Sequence, residues 1–293
     1  EFQKNFLKLS ENKTNRIEEL NDENYSVVVA GSDQVWNITI EDGDDAYFLP
    51  WVTQARKVAY APSFGSKNIS KYSDDIQKYR DLINNFDALS IRENNGRLWL
   101  KELINKDVPV LLDPTLLLTK NEYLPLISND IIENDKYIFF YSPGYDSDIC
   151  RFIKMVANKY GYKVISWSEK NYRKKLIQRF GFELPKYENP SAYLYYIQNA
   201  QLVFTTSFHG TIFSALFGKK FFTLKNGGMY GDDDRVRTLV ETLGIADRLI
   251  KYDFDDSFDY LSECNYATFF EKLELQKKIS LDYIKKEIID YYA

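Results

Sequence analysis

Cysteine is nearly missing from this chain, which has only Cys150 and Cys264. They stand far apart and in no metal or redox spacing, which excludes a disulfide scaffold and suits a reducing cytoplasm. Excess positive charge is missing too. With 38 Lys and Arg against 43 Asp and Glu, the net charge is −5 and the pI near 5.2. No nucleic-acid partner is therefore expected, because phosphate backbones are held by clustered cations. No apolar run approaches the ~18 residues of a membrane span, and no signal peptide is recognisable. The chain opens on Glu1 inside a helical pattern, so an amino-terminal truncation is expected. P-loop, GxGxxG, HExxH and nucleophile-elbow signatures are all absent, as are internal repeats.

What is present is an ordinary globular composition, 44% hydrophobic, with an aromatic share of 16%. Aromatic side chains dominate cores generally, so this share is read first as core and only second as a sugar-stacking surface. A length of 293 residues exceeds what one core usually serves, and two domains are expected, 1–120 and 121–293. The interrupted stretch 119–135 marks the boundary.

Strand-like and helix-like segments alternate along both halves. A charged amphipathic helix is expected over 5–20, strands over 25–30 and 57–60, and a helix over 73–86 with Ser73 as N-cap. Strands at 88–91 and 108–112 flank a helix at 97–104. The second half repeats the rhythm, with strands at 137–141, 162–166, 202–205 and 221–224. Helices are expected at 148–159, 172–180, 192–198, 211–217 and 234–243. A long helix at 266–292 closes the chain, placed to pack back on the first domain. Such alternation predicts α/β architecture with parallel sheets and right-handed crossovers, and so two doubly wound, Rossmann-like domains facing a cleft.

The organising stretch is 201–222, QLVFTTSFHGTIFSALFGKKFF, which holds His209, the single histidine. It reads as a buried strand, a polar turn and an apolar helix. A strand feeding a helix in this way presents backbone N–H groups and a positive dipole end, where an anion is favourably held. Imidazole titrates nearer neutrality than any other side-chain type, so His209 is the candidate acid/base group. The plainer reading has it bonding a carbonyl to hold the turn.

A second loop, GSDQVWN at 31–37, also leaves a buried strand. Gly31 and Ser32 allow close backbone approach, and Asp33 can accept hydrogen bonds from hydroxyls or take a proton. Trp36 offers a plate for a sugar ring, or else packs between the layers. Arginine's planar fork suits phosphate and carboxylate, which singles out Arg92, Arg235 and Arg237. The acidic run 232–234 reads as an N-cap cluster rather than a metal site, and no metal is expected.

Five ordered blocks carry a resemblance: GSDQVWN at 31–37, APSFG at 61–65, SIREN at 90–94, LDPTLLL at 112–118 and TTSFHGTIFSALFGKKFF at 205–222. Together they resemble the polysaccharide pyruvyl transferase family over roughly 25–248. The resemblance implies a glycosyltransferase-B-like fold and transfer of a pyruvyl group from phosphoenolpyruvate to two sugar hydroxyls, giving a cyclic ketal, with no further cofactor. The acceptor it implies is a galactose-type residue of a surface polysaccharide precursor, free or lipid-linked. A lipid carrier would add peripheral contact at the inner face of the membrane to a cytoplasmic location, although no basic amphipathic helix announces one. On this reading His209, as acid/base or as phosphate ligand, and Asp33, which orients or deprotonates the acceptor, are catalytic. Ser207, Gly210, Thr211, Arg92, Arg235 and Arg237 hold the donor on the carboxyl-terminal side, and Gly31, Ser32, Gln34 and Trp36 hold the acceptor on the amino-terminal side. Some family members carry arginine where this chain has Ser207, so the donor's arginine must come from elsewhere. A nucleotide-sugar-dependent glycosyltransferase and a non-catalytic glycan-binding protein of the same fold are the alternatives. The oligomeric state is open.

Overall fold

The computed structural model describes residues 10, 14, 16–144, 146–167, 177–225 and 234–291. They divide into two compact units. One, here the amino-terminal unit, comprises Gln3–Leu117, Asp233–Thr238 and Leu273–Ala293; the other, the central unit, comprises Leu118–Asp232 and Leu239–Lys272. The expected helices over 5–20 and 172–180 fall largely on residues outside the described ones. So do Asp232 and Asp233 of the acidic run.

In the amino-terminal unit the apolar run Val27–Ala30 forms β1 and Arg56–Ala59 forms β2, paired in parallel from Val27 with Arg56 to Ala30 with Ala59. The segments expected as strands at 88–91 and 108–112 are reduced to single parallel bridges, Val58 with Ala88 and Ile91 with Val110. Each is tied to its neighbour for only a residue or two before the chain turns into a loop. Helix α1, Ile76–Asn84, is capped by Asp75, whose side chain accepts from the Lys78 amide. That corrects the expected Ser73 cap: Ser73 Oγ instead accepts from the Asp75 amide one step upstream. Helix α2, Asn94–Ile104, buries Gly96, Leu100, Leu103 and Ile104.

The core of this unit gathers around Trp36, which is 0% exposed. Phe48 stacks on its ring at 5.6 Å, and Phe64 and Phe86 close the other sides. Each fully buried apolar side chain of this size contributes about 1.5–3 kcal/mol. Trp36 is thus a core residue, and its expected role as a sugar plate is corrected: enclosure by three aromatic rings leaves no face for a ligand.

The central unit holds a five-stranded, wholly parallel sheet. Its strands are Tyr137–Tyr141 (β3), Lys163–Trp167 (β4), Leu202–Thr205 (β5), Phe221–Leu224 (β6) and Leu249–Ile250 (β7), in the order β4-β3-β5-β6-β7. Helices Ser147–Tyr160 (α3), Pro190–Asn199 (α4), Phe208–Leu216 (α5) and Asp234–Thr242 (α6) alternate with the strands along the chain. Helices on both faces explain why β5 and β6 are buried at every residue and lack alternation. The final helix, α7 (Tyr266–Ile284), runs on as a π-helical segment, Lys285–Ile289. In the amino-terminal unit its Ser280 hydroxyl accepts from the Leu112 amide at 3.0 Å, and Tyr283 donates to the Ala59 carbonyl at 3.0 Å.

Numbered within the unit, the strand order is 2-1-3-4-5, a doubly wound arrangement whose winding reverses between β3 and β5. In open parallel sheets the crevice beyond the carboxyl ends of such a pair is where ligands bind. Tyr141, Ser142 and residues 206–207 leave the sheet at that point.

Candidate active site

Two strand-end loops carry the residues singled out above, one in each unit. In the amino-terminal unit, β1 delivers the chain to Gly31 at φ +117°, where a Cβ would lie 2.1 Å from the Tyr60 carbonyl oxygen. Only glycine fits that approach. The Gly31–Ser32 peptide is cis. Ser32 Oγ lies 2.7 Å from the Ala61 carbonyl and 3.2 Å from Asp113 Oδ2. Gln34 receives the Asn37 side-chain amide at 3.0 Å, so it braces the loop.

Arg92 joins this loop to the segment after Leu112. Its side chain is 1% exposed, with Nη1 2.6 Å from Asp113 Oδ2 and Nη2 3.1 Å from Asp33 Oδ1. Asp113 also receives the Thr115 amide and hydroxyl. Expected as an anchor for an anionic donor, Arg92 is instead enclosed and turned toward two carboxylates. Removing a buried guanidinium from such partners is costly, so its role here is to hold Asp33 and Asp113 in place. Asp33 is the member that reaches solvent, its side chain 60% exposed.

Glu93, next in sequence, is wholly buried. Its Oε1 accepts from the Phe64 amide at 2.9 Å and the Ser63 hydroxyl at 3.0 Å, while Oε2 meets no hydrogen-bond partner among the described residues. Burial pushes its carboxyl up to about 7, against the opposing pull of Arg92, these hydrogen bonds and Arg235. The first turn of α2 is closed from α6: Asp234 Oδ2 accepts the Asn95 amide at 2.9 Å and Thr238 Oγ1 the Asn94 amide at 3.2 Å. Asp234 thereby serves an orphan donor of another helix, while also receiving the Thr238 hydroxyl of its own. Arg235 is buried beside this cluster and Arg237 is half-buried on the same helix. Among the described residues no group of acidic, histidine or cysteine side chains is arranged to hold a metal ion.

In the central unit, β5 runs into Thr206 and Ser207 before α5. Thr205 Oγ1 donates to the Tyr141 carbonyl at 2.8 Å and accepts the Ser207 amide at 3.0 Å; Thr206 and Ser142 hydroxyls meet at 2.6 Å. These bonds clamp the carboxyl ends of β3 and β5. Ser207 is the N-cap of α5, its Oγ accepting from the Gly210 amide at 3.3 Å, and its carbonyl accepts from the Thr211 amide at 3.0 Å. The helix thus starts at Phe208, three residues before the expected position. Ser207, Gly210 and Thr211 were each expected to hold the donor. The Gly210 and Thr211 amides are instead engaged inside the first turn, and the Thr211 hydroxyl is buried against Thr223 at 2.7 Å. Gly210 is required because a Cβ there would lie 2.3 Å from Thr205 Oγ1.

His209 is the residue of this turn that faces outward, half-buried with its ring edge-on to Phe208 at 5.4 Å. With Ser207 it walls a cavity of about 600 Å³ completed by Tyr123, Tyr141, Trp167, Tyr193 and Phe213, with Glu188 and Asn189 also lining it. Its rings contact one another edge-on: Trp167 with Tyr193 at 5.3 Å, Tyr141 with Tyr193 at 5.6 Å, Tyr123 with Phe213 at 5.2 Å. The sequence offers no local signal for this cavity, because the five rings come from five separate segments.

The polysaccharide pyruvyl transferase family matches residues 1–228. The chain belongs to this family. Its two parallel sheets, one per unit, agree with the α/β, Rossmann-like and glycosyltransferase-B-like class that the motifs imply. Among solved structures the chain is similar to UDP-GlcNAc 2-epimerase from Neisseria meningitidis bound to UDP-GlcNAc (14% identity, TM-score 0.41), covering 77% of this chain and 64% of that one. It is also similar to E. coli heptosyltransferase WaaC with ADP (12%, 0.41, covering 89% and 75%). A third is a glycosyltransferase from Rickettsia africae (10%, 0.46, covering 80% and 72%). The chain therefore spans less than two thirds of the length of the epimerase. No curated protein matches. The residues that motif reading passes over are Asp113 and Glu93. Both lie inside quoted blocks, LDPTLLL and SIREN, yet nothing in the spacing says that they face Arg92 and Ser63.

Proposed function

We propose that the protein transfers the pyruvyl group of phosphoenolpyruvate to two hydroxyls of a saccharide, forming a cyclic ketal. Protonation of the methylene carbon makes its neighbour electrophilic; one hydroxyl adds there, the C–O bond to phosphate breaks, and the second hydroxyl closes the ring. One hydroxyl proton is balanced by the new methyl hydrogen and the other leaves with phosphate. Such chemistry needs an acid/base group beside a pocket that orients the hydroxyls.

The observation that carries this reading is His209, half-buried on the wall of the cavity at the winding reversal of the central sheet, in a member of the pyruvyl transferase family. His209 is the proposed proton-transfer group. Asp33, exposed and held by Arg92, is proposed to orient or deprotonate a hydroxyl, and Arg237, half-buried where Arg235 is enclosed, is the proposed donor cation. The acceptor is proposed to be a galactose-type saccharide, free or lipid-linked. A lipid-linked acceptor would call for peripheral membrane contact, as no helix among the described residues is long and apolar enough to cross a membrane.

The test is phosphate release from phosphoenolpyruvate in the presence of galactosides, with UDP-sugars as controls. Release that depends on the galactoside supports the proposal. Turnover of UDP-sugars with no response to phosphoenolpyruvate overturns it.

A further inference from the structure

We infer that Glu93 is a positioning residue for the proposed transfer: its buried carboxyl braces the loop at 61–65 and, through Ser63, fixes where Asp33 presents its own carboxylate. The inference deepens the transferase reading and rests on the role given there to Asp33.

Asp33 needs such support. Its φ is +68°, in the left-handed region that residues other than glycine adopt uncommonly and keep only where their surroundings hold them. Arg92 holds the side chain, at 3.1 Å. The backbone is held by the loop at 61–65. The Ser63 amide donates to the Asp33 carbonyl at 2.8 Å, the Ser63 carbonyl accepts from the Trp36 amide at 3.2 Å, and Asp33 forms a parallel bridge with Pro62. Gly65 sits so close to the same stretch that a Cβ there would lie 2.1 Å from Gln34 Oε1.

The supporting loop is bent in its turn. Ala61 and Gly65 have φ of +47° and +63° on either side of Ser63. What fixes the bend is one oxygen of Glu93. Oε1 accepts from the Ser63 hydroxyl at 3.0 Å and from the Phe64 amide at 2.9 Å, while Ser63 Oγ accepts from the Gly65 amide at 2.9 Å. Three successive residues thus depend on a single acceptor. Ser63 and Glu93 are both 0% exposed, so water does not replace either partner, and a buried network of this kind rigidifies when each member is in place. Glu93 stands directly before α2, whose first amides are closed by Thr238 and Asp234. The line of support therefore runs from the start of α2 through Glu93 and Ser63 to Asp33. Misplacing a reacting group by about 1 Å can cost on the order of 100-fold in rate, which gives a remote brace its leverage.

The experiment is a double-mutant cycle on phosphate release from phosphoenolpyruvate with methyl β-galactopyranoside as acceptor, using whole-chain variants whose folding is checked by circular dichroism. Glu93→Leu, which removes the acceptor oxygen, should lower kcat by about ten-fold or more while KM for phosphoenolpyruvate stays within about two-fold. Glu93→Gln keeps an oxygen in the same place and should restore most of the loss. In an Asp33→Asn background, Glu93→Leu should lower kcat little further, because its effect passes through Asp33. Hydrogen exchange gives a readout apart from turnover: amides of 31–37 should exchange faster in Glu93→Leu than in the wild type, and those of 137–141 should not. If Glu93→Leu does not fold, Ser63→Ala takes its place in the cycle, with a smaller loss of the same kind. Losses that add in the double variant, no rescue by glutamine, unchanged exchange over 31–37, or wild-type turnover in Asp33→Asn would each overturn the inference. The two proposals fail differently. A wild-type chain that releases no phosphate sinks the transferase reading, and exchange over 31–37 still decides whether Glu93 holds the Asp33 loop. Galactoside-dependent release with additive losses sinks the positioning alone.

Discussion

The loop at Gly31–Asp33 and the turn at Thr206–Gly210 share a plan and differ in what they do with it. Both leave a parallel strand at its carboxyl end, and both contain a glycine whose Cβ would strike a neighbour, the Tyr60 carbonyl in one and Thr205 Oγ1 in the other. The first loop is charged, and most of its charge is enclosed: Arg92 lies between buried Asp113 and solvent-reaching Asp33, with buried Glu93 next to it. In the second, neutral hydroxyls and amides satisfy one another, and its titratable side chain, His209, lies on a cavity wall. A charged residue after a strand is thus no sure sign of ligand contact. Pairing and burial decide whether it holds the loop or meets the substrate.

The largest effect expected from breaking this contrast is at Asp113. Asp113→Ala removes the 2.6 Å partner of a buried guanidinium, and chemical denaturation should show a loss of about 3–5 kcal/mol. A loss below about 1 kcal/mol would mean that the charged loop is not the structural one.

His209→Ala is the opposite case. Turnover should fall about 100-fold or more, as for loss of a general acid/base group, while stability changes by less than about 1 kcal/mol. Wild-type turnover in that variant would remove His209 from the chemistry.

Glu93 sharpens the comparison through pH. Its carboxyl is raised from 4.5 to about 7 in the folded chain, so between those values the folded state binds more protons than the unfolded one. Its contribution to stability is complete below pH ~4.5 and is lost as pH rises toward ~7. Glu93→Gln keeps the acceptor for the Phe64 amide, and should flatten that decline and raise stability at pH 8 by on the order of 2 kcal/mol. An unchanged melting profile across pH 4–8 would contradict the burial argument. Asp22 works in the other direction. The Ala55, Gln54 and Thr53 amides lower it from 3.8 to about 2, so its contribution is present above pH ~4 and is lost as pH falls through ~2.

The smallest effect is expected at Ser207. The cap bond to Gly210 is long, 3.3 Å, so Ser207→Ala should cost about 0.5–1 kcal/mol by thermal melting. A larger loss would mean that the turn near His209 depends on its cap more than the geometry implies.

Strands at 137–141, 202–205 and 221–224 could be read to the residue, since a short apolar run between turn signals has few alternatives once helices cover both sheet faces. The segments 88–91 and 108–112 form less strand than the pattern predicts. Their side chains suit a sheet, but their backbones pair only through isolated bridges, and apolar pattern reports burial rather than ladder length. The motifs named both loops correctly as places of interest. They did not distinguish Trp36 in the core from Trp167 on a cavity wall, because a ring reads the same wherever its neighbours come from.

Sequence by itself determined the parallel α/β class, the two strand-end loops, the glycines they need and the family, all properties carried by short contiguous stretches. Only the tertiary structure decided the strand order that reverses between β3 and β5 and the pairing of Arg92 with Asp33 and Asp113. It likewise decided the engagement of the Gly210 and Thr211 amides inside α5 and the assembly of five distant rings beside His209. The reason is physical: burial, ion pairing and cavity walls depend on which segments pack together, and local propensity carries no record of partners far away in the chain.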